Sequence, residues 1–559
     1  MLRKTLLASL LLVCASGVQA ATTLPQQAAV ASAHPAATVA GLETLALGGN
    51  AFDAAVAMAA ALAVAEPYGS GIGGGGFFLL RQAGEKPTYR FIDARERAPQ
   101  AAGPDLYRRN GTVQRELSLN GPLAAAIPGL PAGLVHLAKH YGKLPLSDSL
   151  TPAIRLARDG VGIDRVYRER AEWRLQALQQ DPTSAAIFLE QNRVPAEFGL
   201  LRQPALARTL ERLARDGQAG FYEGETARLL LEGVTAAGGV WSARDLRDYR
   251  VVERQPLRIS LDGGRELIAA PPPSAGGVAL AQSLLMLQQL PWQKAGAVQR
   301  SHYVVEVLRR AYRDRGLLGD PDQVRNPVQQ LLAPGYLKGL AESIALQNAT
   351  PSSSLPPATA WREGDHTTHF TVLDAEGNAV AATLSINLPF GAAFTVPGTG
   401  VLLNNEMDDF AADPRGSNAY GLSGSQANAI APGKRPLSSM SPTFIESDKE
   451  LASFGTPGGS RIPSMVLLAV LDYLDGKPVQ QWPATPRYHH QYLPDVIEYE
   501  ADAFSPSQLN SLEMRGHRLQ RVERNYGNQQ VLLWRKTDGQ VEAASDPRGV
   551  GRAELLRRD

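Results

Sequence analysis

The strongest hydrophobic pattern in the chain begins at Gly49-Asn50, where AFDAAVAMAAALAVAEP keeps almost every position small or apolar up to Glu66-Pro67. Asn50 is placed to cap that run, so the pattern predicts a buried helix. It leads into GSGIGGGGFFLLR, where Gly73 to Gly76 precede Phe77-Phe78-Leu79-Leu80, a short continuous apolar run typical of a core strand. Gly69, Gly71 and Gly74 also fit G-x-G-x-x-G. A dinucleotide loop, however, follows a strand and opens a helix, whereas here the order is helix, glycines, strand. Close backbone packing is the reading these glycines support.

From about Gly121 to Leu346 the periodicity is mostly helical, as in PALARTLERLARDG and SHYVVEVLRRAYRDRG, with Pro271-Pro272-Pro273 as an interruption. Gln347 to Glu363 is rich in Ser, Pro and Thr and has no apolar period, which predicts an exposed linker. After it THFTVLD alternates, AEGN is turn-prone and AVAATLSIN alternates again, so a β-hairpin opens a new sheet unit at Thr367. ELASFG and QVLLWRK read as further strands and SMVLLAVLDYLDG as an apolar helix, giving an α+β chain built of sheet and helix layers.

Composition narrows the classes. With 559 residues, 44% hydrophobic and 20% charged, the chain has ample material for a large core, and a formal net charge of +1 gives no field to gather nucleic acid. A small-molecule partner fits best. MLRKTLLASLLLVCASGVQA combines Arg3-Lys4, an apolar run and Val18-Gln19-Ala20, which predicts a signal peptide over 1–20 and a periplasmic or secreted protein. The run is well short of the roughly 20 apolar residues that span a bilayer. The single cysteine, Cys14, lies inside it, so disulfide and thiol chemistry are not expected of the mature chain.

Thr367 alone says little, because a β-branched residue at a strand start is ordinary and a hydroxyl is a weak nucleophile until activated. Its surroundings say more. THFTVLDAEGNAVAATLSINLPFG, GVLLNNEMDDF, KRPLSSMSPT and TPGGSR occur in the order seen in γ-glutamyltransferases. The resemblance extends to GGNAFDAAVA, GIGGGGFFL, IDARERAP, PPPSAGG, YRDRGLLGDPD, PRYHHQYLPD and ASDPRG, so it covers essentially the whole chain after the signal.

That resemblance implies an N-terminal-nucleophile hydrolase fold, a four-layer αββα sandwich formed jointly by two subunits cut from one precursor. By it, 21–366 become the large subunit and 367–559 the small, catalytic one, with the cut between His366 and Thr367. The freed α-amine of Thr367, with a reference pKa of about 8, would serve as base for its own hydroxyl. The implied reaction moves the γ-glutamyl group of glutathione or a similar amide to amino acids, peptides or water, without metal or organic cofactor.

The same resemblance assigns roles. Arg95 corresponds to the arginine that grips the α-carboxylate, with Ser438 and Ser439 beside it, and Asp409, Glu406 and Asn387 to the residues that hold the α-ammonium. Gly458-Gly459 match the oxyanion-hole pair. Ser385 stands where many relatives have threonine and is expected to hydrogen-bond the Thr367 hydroxyl. Ala411 to Ala427 resembles a lid loop, placing Tyr420 near Asn387. The departures are His366 before the cut and Glu406 where many bacterial relatives have glutamine. Of nine histidines only His489-His490 are adjacent, and neither H-E-x-x-H nor G-x-S-x-G occurs, which argues against metal and serine-hydrolase chemistry. The nearest alternative is a glutaryl (β-lactam) acylase on the same fold.

Overall fold

The computed structural model describes residues 23–355, 366–411 and 425–557. The expected signal, residues 356–363 of the linker, and Tyr420 with most of the lid segment lie outside these described residues. The principal elements of the first part are β1 (Gln27–Ser32), α1 (Pro35–Ala46), α2 (Ala51–Ala65), β2 (Gly75–Gln82) and β3 (Thr88–Ala94). The chain continues with β4 (Val252–Arg254), β5 (Leu257–Leu261), β6 (Arg265–Ala269), α3 (Gly276–Leu287) and α4 (Ala297–Arg315). Then come β7 (Thr367–Leu373), β8 (Ala379–Ser385), β9 (Thr443–Glu446), β10 (Glu450–Gly455), α5 (Ile462–Leu474), β11 (Gln530–Arg535), β12 (Val541–Ser545) and β13 (Arg552–Arg557).

One sheet runs β13-β1-β7-β8-β2-β3-β4 and the other β12-β11-β10-β9-β6-β5. Alternation along β7 shows how they meet. Phe370 and Val372 join the apolar cluster of α1 and α2, while Thr371 points the other way, its hydroxyl 2.7 Å from that of Ser453 on β10. Thr367 shares the Thr371 face, so it lies at the end of the space between the sheets. His369, two residues along the same face, packs so closely on β10 that a Cβ at Gly455 would fall 2.1 Å from its ring. Helices α3, α4 and α5 join the apolar cluster of the second sheet on that sheet's side.

Helix α2 forms where the pattern placed it because its cap is complete. Asn50 Oδ1 accepts from the amides of Phe52 and Asp53, at 2.9 and 3.1 Å, and Asp53 Oδ2 accepts from the Asn50 amide at 2.9 Å. The glycines that follow are a packing device, as expected. A Cβ at Gly74 would lie 2.2 Å from the carbonyl oxygen of Ser385, and one at Gly76 2.6 Å from that of Thr383. The glycine run therefore lets β2 and its approach lie directly against β8, the strand opposite Thr367.

Two expectations need adjustment. The mostly helical middle also contains the hairpin β5–β6, turned by Gly263 and Gly264 in left-handed backbone (φ 75° and 70°), which completes the second sheet. The start of the expected linker is not loose either. Ser352 is buried, its hydroxyl accepting from Arg309 Nη1 at 2.6 Å and its amide donating to Asp495 at 2.8 Å, because α4 supplies charged side chains that satisfy this segment.

Candidate active site

Thr367 begins β7 and pairs across the ladder with Ser385, the last residue of β8. The residue before it is held by two hydrogen bonds, and a third ties their partners together. The His366 amide donates to the Asn387 carbonyl at 3.3 Å, Ser385 Oγ donates to the His366 carbonyl at 3.3 Å, and the Asn387 amide donates to Ser385 Oγ at 2.8 Å. Asn387 can do this because it sits in left-handed backbone at φ 72°, with its side chain fixed by the Asn405 carbonyl at 2.9 Å. The Ser385 hydroxyl is thus found on the carbonyl of the His366–Thr367 peptide bond, where the cut was expected, rather than on the Thr367 hydroxyl. His366 packs edge-on against Trp173, and burial together with Arg170, Arg461 and Arg174 lowers its pKa well below the ordinary histidine value, so it is neutral.

Thr367, His366 and Gly458 line one cleft of about 1170 Å³, ample for a small-molecule substrate. Gly458 and Gly459 have φ 136° and 53°, a conformation that glycine tolerates, and a Cβ at Gly458 would strike Met465 at 2.5 Å. Among the described residues no acceptor takes the amides of either glycine. Gly458 shares the Thr367 cleft, and amides left open to it are what an oxyanion site requires.

Three other assigned residues, Arg95, Glu406 and Asp409, meet in a buried charge cluster. Arg95 follows β3 directly, and its fork reaches Glu406 from Nη1 at 2.9 Å and Asp409 from Nη2 at 2.5 Å, while Nε donates to the Pro436 carbonyl at 3.2 Å. Glu406 meets no hydrogen-bond donor among the described residues apart from that ion pair. Pro436 carries the chain into Ser438 and Ser439, both buried. Ser438 Oγ accepts from the Met440 amide at 3.1 Å, and Ser439 Oγ accepts from Arg315 at 3.2 and 3.3 Å. Arg95 and the two carboxylates, expected to hold opposite ends of an α-amino acid, are therefore neighbours and pair with one another.

Two participants escaped the sequence reading although both lie within its motifs. Asp93, two residues before Arg95, accepts from the Arg95 amide at 3.0 Å and from Arg254 at 2.8 Å, and pairs with Arg435 at 3.3 Å, so it ties the KRPLSS segment to IDARERAP. Glu96 is buried beside Arg95 at 3.5 Å; burial and the nearby Glu406 charge push its pKa well above the carboxylate range. Their signal was adjacency to Arg95 in one acidic and basic string. Among the described residues His302, Glu306 and His517 also have the composition of a metal site. At least one atom of each is engaged, however: His302 Nδ1 and His517 Nε2 share a 2.8 Å hydrogen bond, and Glu306 accepts from Arg309 and Arg310 at 3.2 and 2.6 Å. A cation there would sit beside two guanidinium groups, an unfavourable place for it.

The chain matches the family described as Gamma-glutamyltranspeptidase over residues 37–556. It is 39% identical to the glutathione hydrolase proenzyme of Escherichia coli K12 over 94% of this chain and 91% of that protein. It is 40% identical to the protein of the same description from Pseudomonas aeruginosa, over 98% of each. Among solved structures, cephalosporin acylase from Bacillus halodurans superposes with a TM-score of 0.85 at 27% identity, across 95% of this chain and 96% of that one. Helicobacter pylori gamma-glutamyltranspeptidase gives a TM-score of 0.56 at 35% identity, across 58% of this chain and 94% of that one.

Proposed function

The chain belongs to the gamma-glutamyltranspeptidase family, and from that premise we propose that it is a self-cleaving γ-glutamyltransferase and glutathione hydrolase with Thr367 as nucleophile. Its fold is then the N-terminal-nucleophile αββα sandwich, shared by a large chain, 21–366, and a small chain, 367–559. Residues 1–20 direct export to the periplasm or beyond and are removed. No helix among the described residues is long and apolar enough to cross a membrane.

Maturation starts when Thr367 Oγ attacks the His366 carbonyl, whose oxygen already accepts from Ser385. The acyl group shifts from nitrogen to oxygen, water hydrolyses the ester, and the Thr367 amine is released. In turnover that amine takes the hydroxyl proton as Oγ attacks a γ-glutamyl carbonyl, and the Gly458 and Gly459 amides receive the oxyanion. The leaving amine departs with a proton, and the γ-glutamyl ester passes to an amino acid, a peptide or water. Ser385→Ala should slow the appearance of two chains on denaturing gels about 10- to 100-fold, the effect of one hydrogen bond to a developing charge. Ser385→Thr should restore the rate; unchanged cleavage in the alanine variant would remove Ser385 from the step.

The observation that carries the substrate assignment is the pairing of Arg95 with Glu406 and Asp409. A γ-glutamyl group brings a carboxylate and an ammonium, so it can part these three side chains and repair both halves. A glutaryl group brings only the carboxylate and would draw Arg95 from two buried acids without supplying a cation in its place, at a cost of several kcal/mol. The likeness to cephalosporin acylase makes glutaryl turnover the second reading. γ-Glutamyl anilide should be turned over at least about 100-fold more efficiently than glutaryl anilide. A preference for glutaryl anilide would overturn the assignment.

A further inference from the structure

The two glycines that present the oxyanion amides have no side chains to hold them, so something outside must fix their direction. The next residue supplies the handle. Gly459–Arg461 forms a single 3-10 turn, closed by the Arg461 amide on the Gly458 carbonyl at 3.1 Å. The Ser460 carbonyl accepts from the hydroxyl of Tyr312 on α4, and Ser460 Oγ donates to Gln491 Oε1 at 2.8 Å. Gln491 is fixed in turn: its amide nitrogen donates to the Leu493 carbonyl at 3.1 Å, and its oxygen also meets His489 Nε2 at 3.0 Å.

The proton positions follow from that arrangement. With the Gln491 nitrogen committed to a carbonyl, its oxygen faces His489 and can only accept, so Nε2 of His489 carries the hydrogen. Nδ1 then carries no hydrogen and faces the Ser464 hydroxyl 2.7 Å away, whose one hydrogen is shared with the Arg461 carbonyl at 2.8 Å. The ring is 1% exposed and burial pushes its pKa down to about 4, which keeps it neutral with that one proton. Gln491 Oε1 thus receives from His489 Nε2 and Ser460 Oγ together.

We propose that Gln491, oriented by the Nε2-protonated form of His489, is a positioning residue that aims the Gly458 and Gly459 amides through Ser460. The proposal rests on those amides being the oxyanion donors of the proposed reaction. Oxyanion donors act over a narrow distance range, and a displacement of about 1 Å can cost 100-fold in rate. In the proposed reaction the substrate's α-amino acid end is held on a different segment, by the ion-paired Arg95, Glu406 and Asp409. Loosening the turn should therefore lower kcat and spare KM.

The test is a double-mutant cycle on fully cleaved protein with a γ-glutamyl anilide. Ser460→Ala and Gln491→Met are each expected to lower kcat about 10- to 100-fold with KM changed less than about threefold. The double variant is expected to be no slower than the worse single one, because both break the same link. Ser460→Thr, which keeps the hydroxyl, should recover most of the rate, with the melting temperature of each variant separating misfolding from mispositioning. Single variants within twofold of wild-type kcat, losses that multiply in the double variant, or a loss confined to KM would each overturn the proposal. A wild-type protein with no γ-glutamyl anilide activity would instead overturn the functional reading beneath it.

Discussion

Thr367→Ala should give one uncut chain with at least a 10⁴-fold loss of γ-glutamyl turnover, an estimate of about the size seen when an activated hydroxyl nucleophile is removed. Both effects have one cause. The hydroxyl that would attack the His366 carbonyl is also the hydroxyl that would carry the acyl group, and the base it needs, the Thr367 amine, exists only after cleavage. The rest of the apparatus stays in place: Ser385 on the His366 carbonyl, the amides of Gly458 and Gly459, and the Arg95 cluster involve no atom of the Thr367 side chain. The variant should fold normally, and its uncut state should be visible on a denaturing gel. Thr367→Ser keeps a hydroxyl and should be cut and partly active. Splitting of the alanine variant before residue 367, or retention of more than about a hundredth of the activity, would move the nucleophile elsewhere.

How far this site could be read in advance depends on how local each part is. The capping box at Asn50 and the hairpin from Thr367 to Ser385 are set by neighbours a few residues apart, and both formed where the pattern placed them. The hairpin of β5 and β6 was weaker in pattern because its strands are short and lie among longer helices. Arg95 and Asp409 are 314 positions apart, and no periodicity joins them; only the family resemblance did. Resemblance named groups without saying how they rest together. That Arg95 closes on Glu406 and Asp409, that Ser385 takes the His366 carbonyl, and that Asp93 ties two motifs together needed the fold.

The Arg95 arrangement gives the second large effect. Arg95→Lys keeps the charge but replaces a fork that reaches two carboxylates and a carbonyl with a single ammonium. Its kcat/KM on γ-glutamyl anilide should fall about 100- to 1000-fold, chiefly through KM, in line with roughly 2–5 kcal/mol for breaking a buried, hydrogen-bonded charge pair. Arg95→Met should do more, because Glu406 and Asp409 both lose the guanidinium that pairs them, and breaking a buried ion pair costs roughly 3–5 kcal/mol of stability. Folding and binding can be separated by neutralising the acids as well. Arg95→Met combined with Glu406→Gln and Asp409→Asn should recover most of the lost melting temperature while remaining inactive on γ-glutamyl anilide, since neither end of the α-amino acid then has a charged partner. If the triple variant recovered activity along with stability, Arg95 would be a structural ion-pair partner and the glutamyl group would be held elsewhere. If Arg95→Lys kept the wild-type KM, the fork would not be what the α-carboxylate binds.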